Sequence, residues 1–157
     1  MSDPFELLLD LHIGGERQGP GSDDATRRAI ELAGLAGRTN LAVADIGCGT
    51  GASTLVLAHD LDATITAVDF LPPFLEQLDQ EAQQRGVADR ITTVAASMDD
   101  LAFDPHSLDV IWAEGAIYNI GFEHGIRSWR PFLEPGGVLA VSEITWLTDQ
   151  RPAELEE

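Results

Sequence analysis

Residues 43–53, Val-Ala-Asp-Ile-Gly-Cys-Gly-Thr-Gly-Ala-Ser (VADIGCGTGAS), decide how this chain is read. Residues 47–52 fit the pattern G-x-G-x-x-[GA], in which glycines let the backbone turn tightly and let a ligand approach main-chain atoms. The context agrees. Residues 41–46 are nearly all apolar and predict a strand, and residues 53–59 predict a helix. Such a loop by itself suits a dinucleotide. Asp45, however, stands two residues before Gly47, and no arginine lies in the loop; the nearest in sequence are Arg38 and Arg85. A pyrophosphate beside Asp45 would meet a like charge. Asp69 follows Gly51 by 18 residues, at the end of the next predicted strand, where a carboxylate can receive both hydroxyls of a ribose. Glycines and acids together suit a positively charged adenosine compound, S-adenosyl-L-methionine, which carries a sulfonium and an ammonium. Asp45 has a second, compatible reading, in which it holds the loop through hydrogen bonds to its own backbone.

Working outward, the pattern is strand, helix, strand. Residues 64–68 are a β-branched strand, and residues 72–85 a helix with Phe74, Leu75, Leu78 and Ala82 inward and Gly86 as its stop. Strands follow at 91–95 and 108–113, a helix at 123–133 strained by Pro131, and a fifth strand at 138–144 after the turn Pro135-Gly136-Gly137. This alternation predicts an α/β fold: a Rossmann-like, doubly wound, mostly parallel sheet with helices on both faces. Before it, Phe5, Leu8, Leu9 and Ile13 suggest a short helical face, and a glycine-rich loop leads to Ser22, which caps a helix with Asp23 and Asp24 at its positive end. Its apolar stripe is read as Ala25, Ala29, Leu32 and Ala33. Residues 1–37 are therefore taken as an N-terminal helical segment and candidate lid, and residues 38–157 as the ligand-binding domain. The closing Arg151-Pro152-Ala-Glu-Leu-Glu-Glu begins like a helix and stops after about one turn, which suggests a truncated form or one with a further remainder.

Composition bounds the function. The 157 residues suffice for one domain with a core. No apolar run approaches the roughly 20 residues of a membrane span, and the acidic N-terminus has no basic region of the kind that opens a secretory signal. Cys48 is the only cysteine, so there is no intrachain disulfide and no cysteine-rich metal site, and a reducing cytoplasm is the simplest setting. No metal ligand set is expected. Net charge is −18, and all nine basic residues are arginines. Such a surface repels phosphate backbones and disfavours nucleic acid. Adaptation to high salt is one explanation of this balance, and a GC-rich coding bias, which would also remove lysine, is the alternative.

The chain resembles class I S-adenosylmethionine-dependent methyltransferases. Residues 44–51 (ADIGCGTG) resemble their first motif and residues 67–70 (AVDF) the acidic end of their second strand. Residues 96–103 (ASMDDLAF) resemble the segment after their third strand, and 133–143 (LEPGGVLAVSE) the turn into their fifth. The segments RQGPGS and WAEGAIYNIGFEHG resemble a bacterial small-molecule subgroup, the type 11 methyltransferases. The resemblance implies that Asp45 and the main chain of Gly47 and Gly49, with Gly51 in the same loop, surround the methionine part. It implies that Asp69 holds the ribose, Phe70 packs beside the adenine, and Ser97 and Met98 lie at the adenine edge. Two departures stand out: a serine replaces the usual aspartate at position 97, with Asp99 a candidate substitute, and the two strands that normally follow the fifth are missing.

Open parallel sheets bind ligands beyond the carboxyl ends of their strands, at the switch in strand order. Glu114 directly follows the fourth strand and is read as a ligand for the ammonium or the methyl acceptor. Tyr118 is read as touching the sulfonium or aligning the acceptor, or else as a packed aromatic; His124 as a base or an exposed helix residue. Gln18 and Ser22, in RQGPGS, form either a lid over the methionine end or a plain connector. Cys48 is read as a small packed residue, Trp112 and Trp129 as core, and Trp146 as core or pocket wall. The leading expectation is methyl transfer to a small-molecule acceptor, with no nucleic-acid or membrane partner. The competing ones are a NAD-dependent oxidoreductase and a non-catalytic cofactor-binding or interaction domain whose exposed strand edge pairs in a homodimer.

Overall fold

The computed structural model describes residue 15 and residues 17–145. The expected helical face of Phe5, Leu8, Leu9 and Ile13, together with Trp146 and the closing RPAELEE, lies outside the described residues. In chain order the elements are α1 (Asp23–Leu32), β1 (Leu41–Ile46), α2 (Ala52–Asp60), β2 (Ala63–Asp69), α3 (Pro72–Gln84), β3 (Ile91–Ala95), β4 (Leu108–Glu114), α4 (Phe122–Trp129) and β5 (Leu133–Ser142). The five strands form one sheet in the order β3-β2-β1-β4-β5, and every described pairing is parallel. The chain runs outward from β1 through β2 to β3 and then crosses to β4 on the other side. The switch point therefore lies between β1 and β4, whose registered partners include Val43 with Val110 and Asp45 with Trp112.

Alternation along the strands sorts the core into two layers. Val43, Ile65, Val110 and Trp112 face one side and pack with Ile30 of α1, Leu55 and Val56 of α2, and Leu75 and Leu78 of α3. Ala44, Ile46, Ile111 and Ala113 face the other and pack with Ile117 and Trp129. Strands buried on both faces favour the apolar runs Leu41–Ala44 of β1 and Val110–Ala113 of β4.

Ser22 caps α1 as expected, accepting from the Ala25 N–H at 3.2 Å. Two members of the expected stripe, Ala29 and Ala33, pack partly buried against the core, but Ala25 is exposed. Thr26 and Ile30 are the buried positions, whereas Leu32 is exposed. Thr26 tolerates burial because its hydroxyl donates to the Ser22 carbonyl at 3.3 Å. The fourth helix ends earlier than the expected 123–133. It closes at Trp129, and Arg130–Phe132 form a 3-10 turn, because Pro131 has no N–H to continue the ladder. The fifth strand starts at Leu133 rather than 138, so Pro135-Gly136-Gly137 lies within it, beside a register shift between Leu108 and Val110. Among the described residues no further strand pairs with β5.

Candidate functional site

The glycine loop leaves β1 and is tied to the neighbouring strand: the Gly47 and Cys48 N–H groups both donate to the Val68 carbonyl, at 2.8 and 3.0 Å. A Cβ on Gly47 would sit 2.4 Å from that of Ala116, so only glycine lets the first turn pass this close to the loop after β4. Asp69 closes the loop from the β2 side. Its Oδ2 accepts from the Gly49 N–H at 2.9 Å and its Oδ1 from the Leu71 N–H at 3.0 Å. A carboxylate offers about four acceptor positions, so two backbone bonds orient Asp69 and leave capacity for a ligand.

Beside this loop, at the switch point, lies a cavity of about 630 Å³. Its walls come from residues 17–20, the glycine loop, the tip of β2, residues 96–99 and residues 114–120. A cavity of this size holds a nucleoside-sized ligand. Gly47, Gly49, Asp69, Phe70, Ser97, Met98, Glu114, Tyr118 and Gln18 all line it, so the structure brings nine expected site residues to one place. Phe70 and Tyr118 stand 61% and 57% exposed at the rim. Ser97 accepts from the Asp99 N–H at 3.3 Å, and the Met98 carbonyl accepts from the Trp129 indole at 3.0 Å, which pins the segment after β3.

Three expectations change. Asp45 lies beneath the loop and is absent from the cavity wall, 1% exposed. It shares a strand face with Val43, so it points toward the start of α2, where Ser53 and Thr54 donate to its Oδ2 at 3.0 and 2.6 Å. It holds the loop through side chains rather than through its own backbone. Gly51 is likewise absent from the wall; it faces Leu78 and sets the approach of α2 to α3. His124 stands on α4 with its side chain 61% exposed, 3.4 Å from Asp99, and outside the cavity. Ser22 is occupied as a helix cap. Trp112 and Trp129 are core, as expected. Cys48 is buried, and burial pushes its thiol well above the ordinary range. Among the described residues no group of three or more His, Cys, Asp or Glu side chains is placed to hold a metal ion.

Burial also raises Asp45, to about 6; the Thr54 and Ser53 bonds oppose the rise and the charges of Glu114 and Asp69 add to it. A carboxyl raised above its unfolded value of 3.8 makes the native state the tighter proton binder. Between about pH 4 and 6 the native state keeps the proton that the unfolded chain has lost, so this group's contribution falls as pH rises through that window and is level above it. Asp45→Asn is expected to remove a stability loss of about 2–3 kcal/mol across that window. Urea melts of both proteins at pH 4.5 and 7 measure it; parallel pH dependences would contradict it.

The sequence reading missed Arg17. Its Nη1 donates to Glu114 Oε2 at 2.9 Å, while the Trp112 indole donates to Glu114 Oε1 at 2.9 Å. Gln18 beside it donates to Thr50 Oγ1 at 3.0 Å and to the Gly15 carbonyl at 3.1 Å, which lays this strap across the glycine loop. An arginine in a glycine-rich segment carries no local signal for a partner 97 residues away.

Residues 43–137 match a family described as a methyltransferase domain. The chain belongs to this methyltransferase family. It is 30% identical over 164 aligned positions to the 27-O-demethylrifamycin SV methyltransferase of Amycolatopsis mediterranei, covering 98% of this chain and 60% of that one. It is 28% identical to the sarcosine/dimethylglycine N-methyltransferase of Halorhodospira halochloris, covering 87% of this chain and 52% of the relative. This methyltransferase-family chain thus spans little more than half the length of those two relatives. In fold it is similar to a SAM-dependent methyltransferase from Thiobacillus denitrificans solved with S-adenosyl-L-homocysteine, with a TM-score of 0.77 at 22% identity, over 98% of this chain and 61% of that one. The five parallel strands and their order are thus those of a Rossmann-like methyltransferase fold.

Proposed function

We propose that this chain forms the S-adenosyl-L-methionine-binding part of a methyltransferase that acts on a small-molecule acceptor. The observation that carries the reading is the cavity at the β1/β4 switch point, with the Gly47–Gly49 cradle on one side and the carboxylates of Asp69 and Glu114 in the wall. Asp45 adds negative charge beneath the loop once ionised. This field favours a sulfonium and an ammonium over a pyrophosphate. In this reading Asp69 receives the ribose hydroxyls, Phe70 covers the adenine with Ser97 and Met98 at its edge, and Gly47, Gly49 and Gln18 border the methionine end. When bound, the cofactor supplies a methyl group on positively charged sulfur. The protein's task is then to align the acceptor and exclude water. In this reading Tyr118, at the cavity rim, aligns the acceptor, and His124, outside the cavity wall, takes no part. The names of the rifamycin and sarcosine relatives support a small-molecule acceptor. No described helix is long and apolar enough to cross a membrane. A cytoplasmic setting and a homodimer paired through the β5 edge belong to the same proposal.

Isothermal titration with S-adenosylhomocysteine and with NAD tests the reading. Binding of the first alone is expected; heat evolved with NAD alone would favour the oxidoreductase and end it. Transfer of labelled methyl across an acceptor panel then tests the activity. A dimer that binds the cofactor but labels no acceptor would favour the non-catalytic reading.

A further inference from the structure

Beneath the glycine loop, Asp45 carries a carboxyl that the fold only half satisfies. The residue is 1% exposed. Its described bonds come from the Ser53 and Thr54 hydroxyls, and Oδ2 accepts both. Oδ1 is buried and has no partner among the described residues. An ionised carboxylate offers about four acceptor positions, and a buried anionic oxygen without a donor is costly. The surroundings add to that cost. Asp69 at the tip of β2 and Glu114 at the tip of β4 oppose ionisation as like charges, and Cys48 in the loop is a buried thiol. Ala67 of β2 and Trp112 of β4 stand in register with Asp45, and the start of α2 brings the two hydroxyls. Arg17 is the cationic side chain of the cavity wall, and its described bonds go to Glu114, Asp23 and Thr26. The groups that face Asp45 are thus neutral or acidic, so the cation that matches its charge must come with a ligand.

This half-satisfied geometry favours the neutral acid, in keeping with a carboxyl raised to about 6. Ser53 ties the group to the ligand space. It lines the cavity, and its hydroxyl donates to Asp45 Oδ2 at 3.0 Å. A proton on the carboxyl therefore has a hydrogen-bonded route to the cavity. We propose that a cation bound on the glycine loop and the proton on Asp45 exclude one another, so that ligand binding expels the proton and acid expels the ligand. The inference rests on the cofactor reading above, in which Gly47 and Gly49 border the methionine end with its sulfonium and ammonium. A cation close to an acid favours the ionised form. On binding, the Asp45 O–H bond breaks, its electron pair stays on the carboxylate and the proton passes to solvent. Above about pH 7 the group is ionised before the ligand arrives, and binding is at full strength. Below about pH 6 each binding event must first remove a proton, so affinity falls as pH falls.

Two probes test the coupling: S-adenosylhomocysteine, which carries the ammonium, and 5′-methylthioadenosine, which carries no cation. Neither changes charge between about pH 5 and 7. S-adenosylhomocysteine is expected to bind about 5- to 10-fold more weakly at pH 5 than at pH 7, and 5′-methylthioadenosine about equally at both. Asp45→Asn, which cannot ionise, should flatten the first dependence. A dependence that survives unchanged in this variant overturns the assignment, because another group would then carry it. A measurement on the unmodified chain guards against a misfolded variant. Calorimetric titration at pH 5.5 in two buffers of different ionisation enthalpy counts the protons. About half a proton should leave per S-adenosylhomocysteine bound, and none per 5′-methylthioadenosine. No release with the first, or equal release with both, overturns the assignment and leaves the cofactor reading standing. If S-adenosylhomocysteine binds at neither pH, the cofactor reading falls and this inference falls with it.

Discussion

Asp69→Ala is expected to lower the affinity for S-adenosylhomocysteine about 10³-fold, or about 4 kcal/mol. The carboxylate terminates β2 and is aimed by the Gly49 and Leu71 amides. Those bonds orient the carboxylate before a ligand arrives, so under the proposed cofactor reading the two ribose hydroxyls would meet a fixed acceptor. Hydrogen bonds to a charged, largely buried partner are worth about 1.5–3 kcal/mol each, and two of them account for the figure. The substitution also strips the two amides of their acceptor, so a lower melting temperature is expected alongside. Asp69→Asn separates the effects. Its amide oxygen keeps one acceptor in place, so it should retain more of the fold than of the affinity. Calorimetric titration checks the binding; an Asp69→Ala affinity within about threefold of the unmodified chain would mean that the ribose lies elsewhere.

Gly51→Val is expected to destabilise the fold by about 4 kcal/mol, combining the strain of a branched residue at positive φ with overpacking. The φ of Gly51 is +90°, and a Cβ there would lie 2.2 Å from Leu78 Cδ1. Leu78 is fully buried in the core cluster, so it cannot swing into solvent to relieve the clash. Urea denaturation would show the loss as a lower midpoint at unchanged slope. Pairing the change with Leu78→Ala should destabilise less than the sum of the two, because the removed side chain makes room; the φ strain remains. Strict additivity would show that the two positions do not touch.

Most of the cofactor side of the cavity was legible from local patterns. A glycine loop between an apolar strand and a helix, and an acid at the end of the next strand, are defined within a few residues of each other. Phe70, Ser97 and Met98 came from the resemblance to the methyltransferase motifs rather than from local patterns, and the structure places all three in the cavity wall. The direction of Asp45 was also written in the period-two alternation with Val43, which sets both on the helix-covered face; charge alone suggested the cavity. Of the two readings of His124 the structure shows the exposed helix residue, and its distance from the strand end could not decide between them, because it says nothing of which way α4 rolls. Thr26 was passed over as polar, although its own helix supplies the acceptor that lets it be buried.

The alternation of strands and helices, the loop that needs glycine, and the acids at the tips of β2 and β4 are all readable from short stretches of chain. These rest on backbone preference and periodicity, which act over one or two turns of chain. The meeting of Arg17 with Glu114, the fit of Gly51 against Leu78 and the bonds of Asp45 to Ser53 and Thr54 arise instead from packing. Each of these depends on how separate elements rotate and pack against one another, and that is settled by filling a shared core rather than by any local stretch.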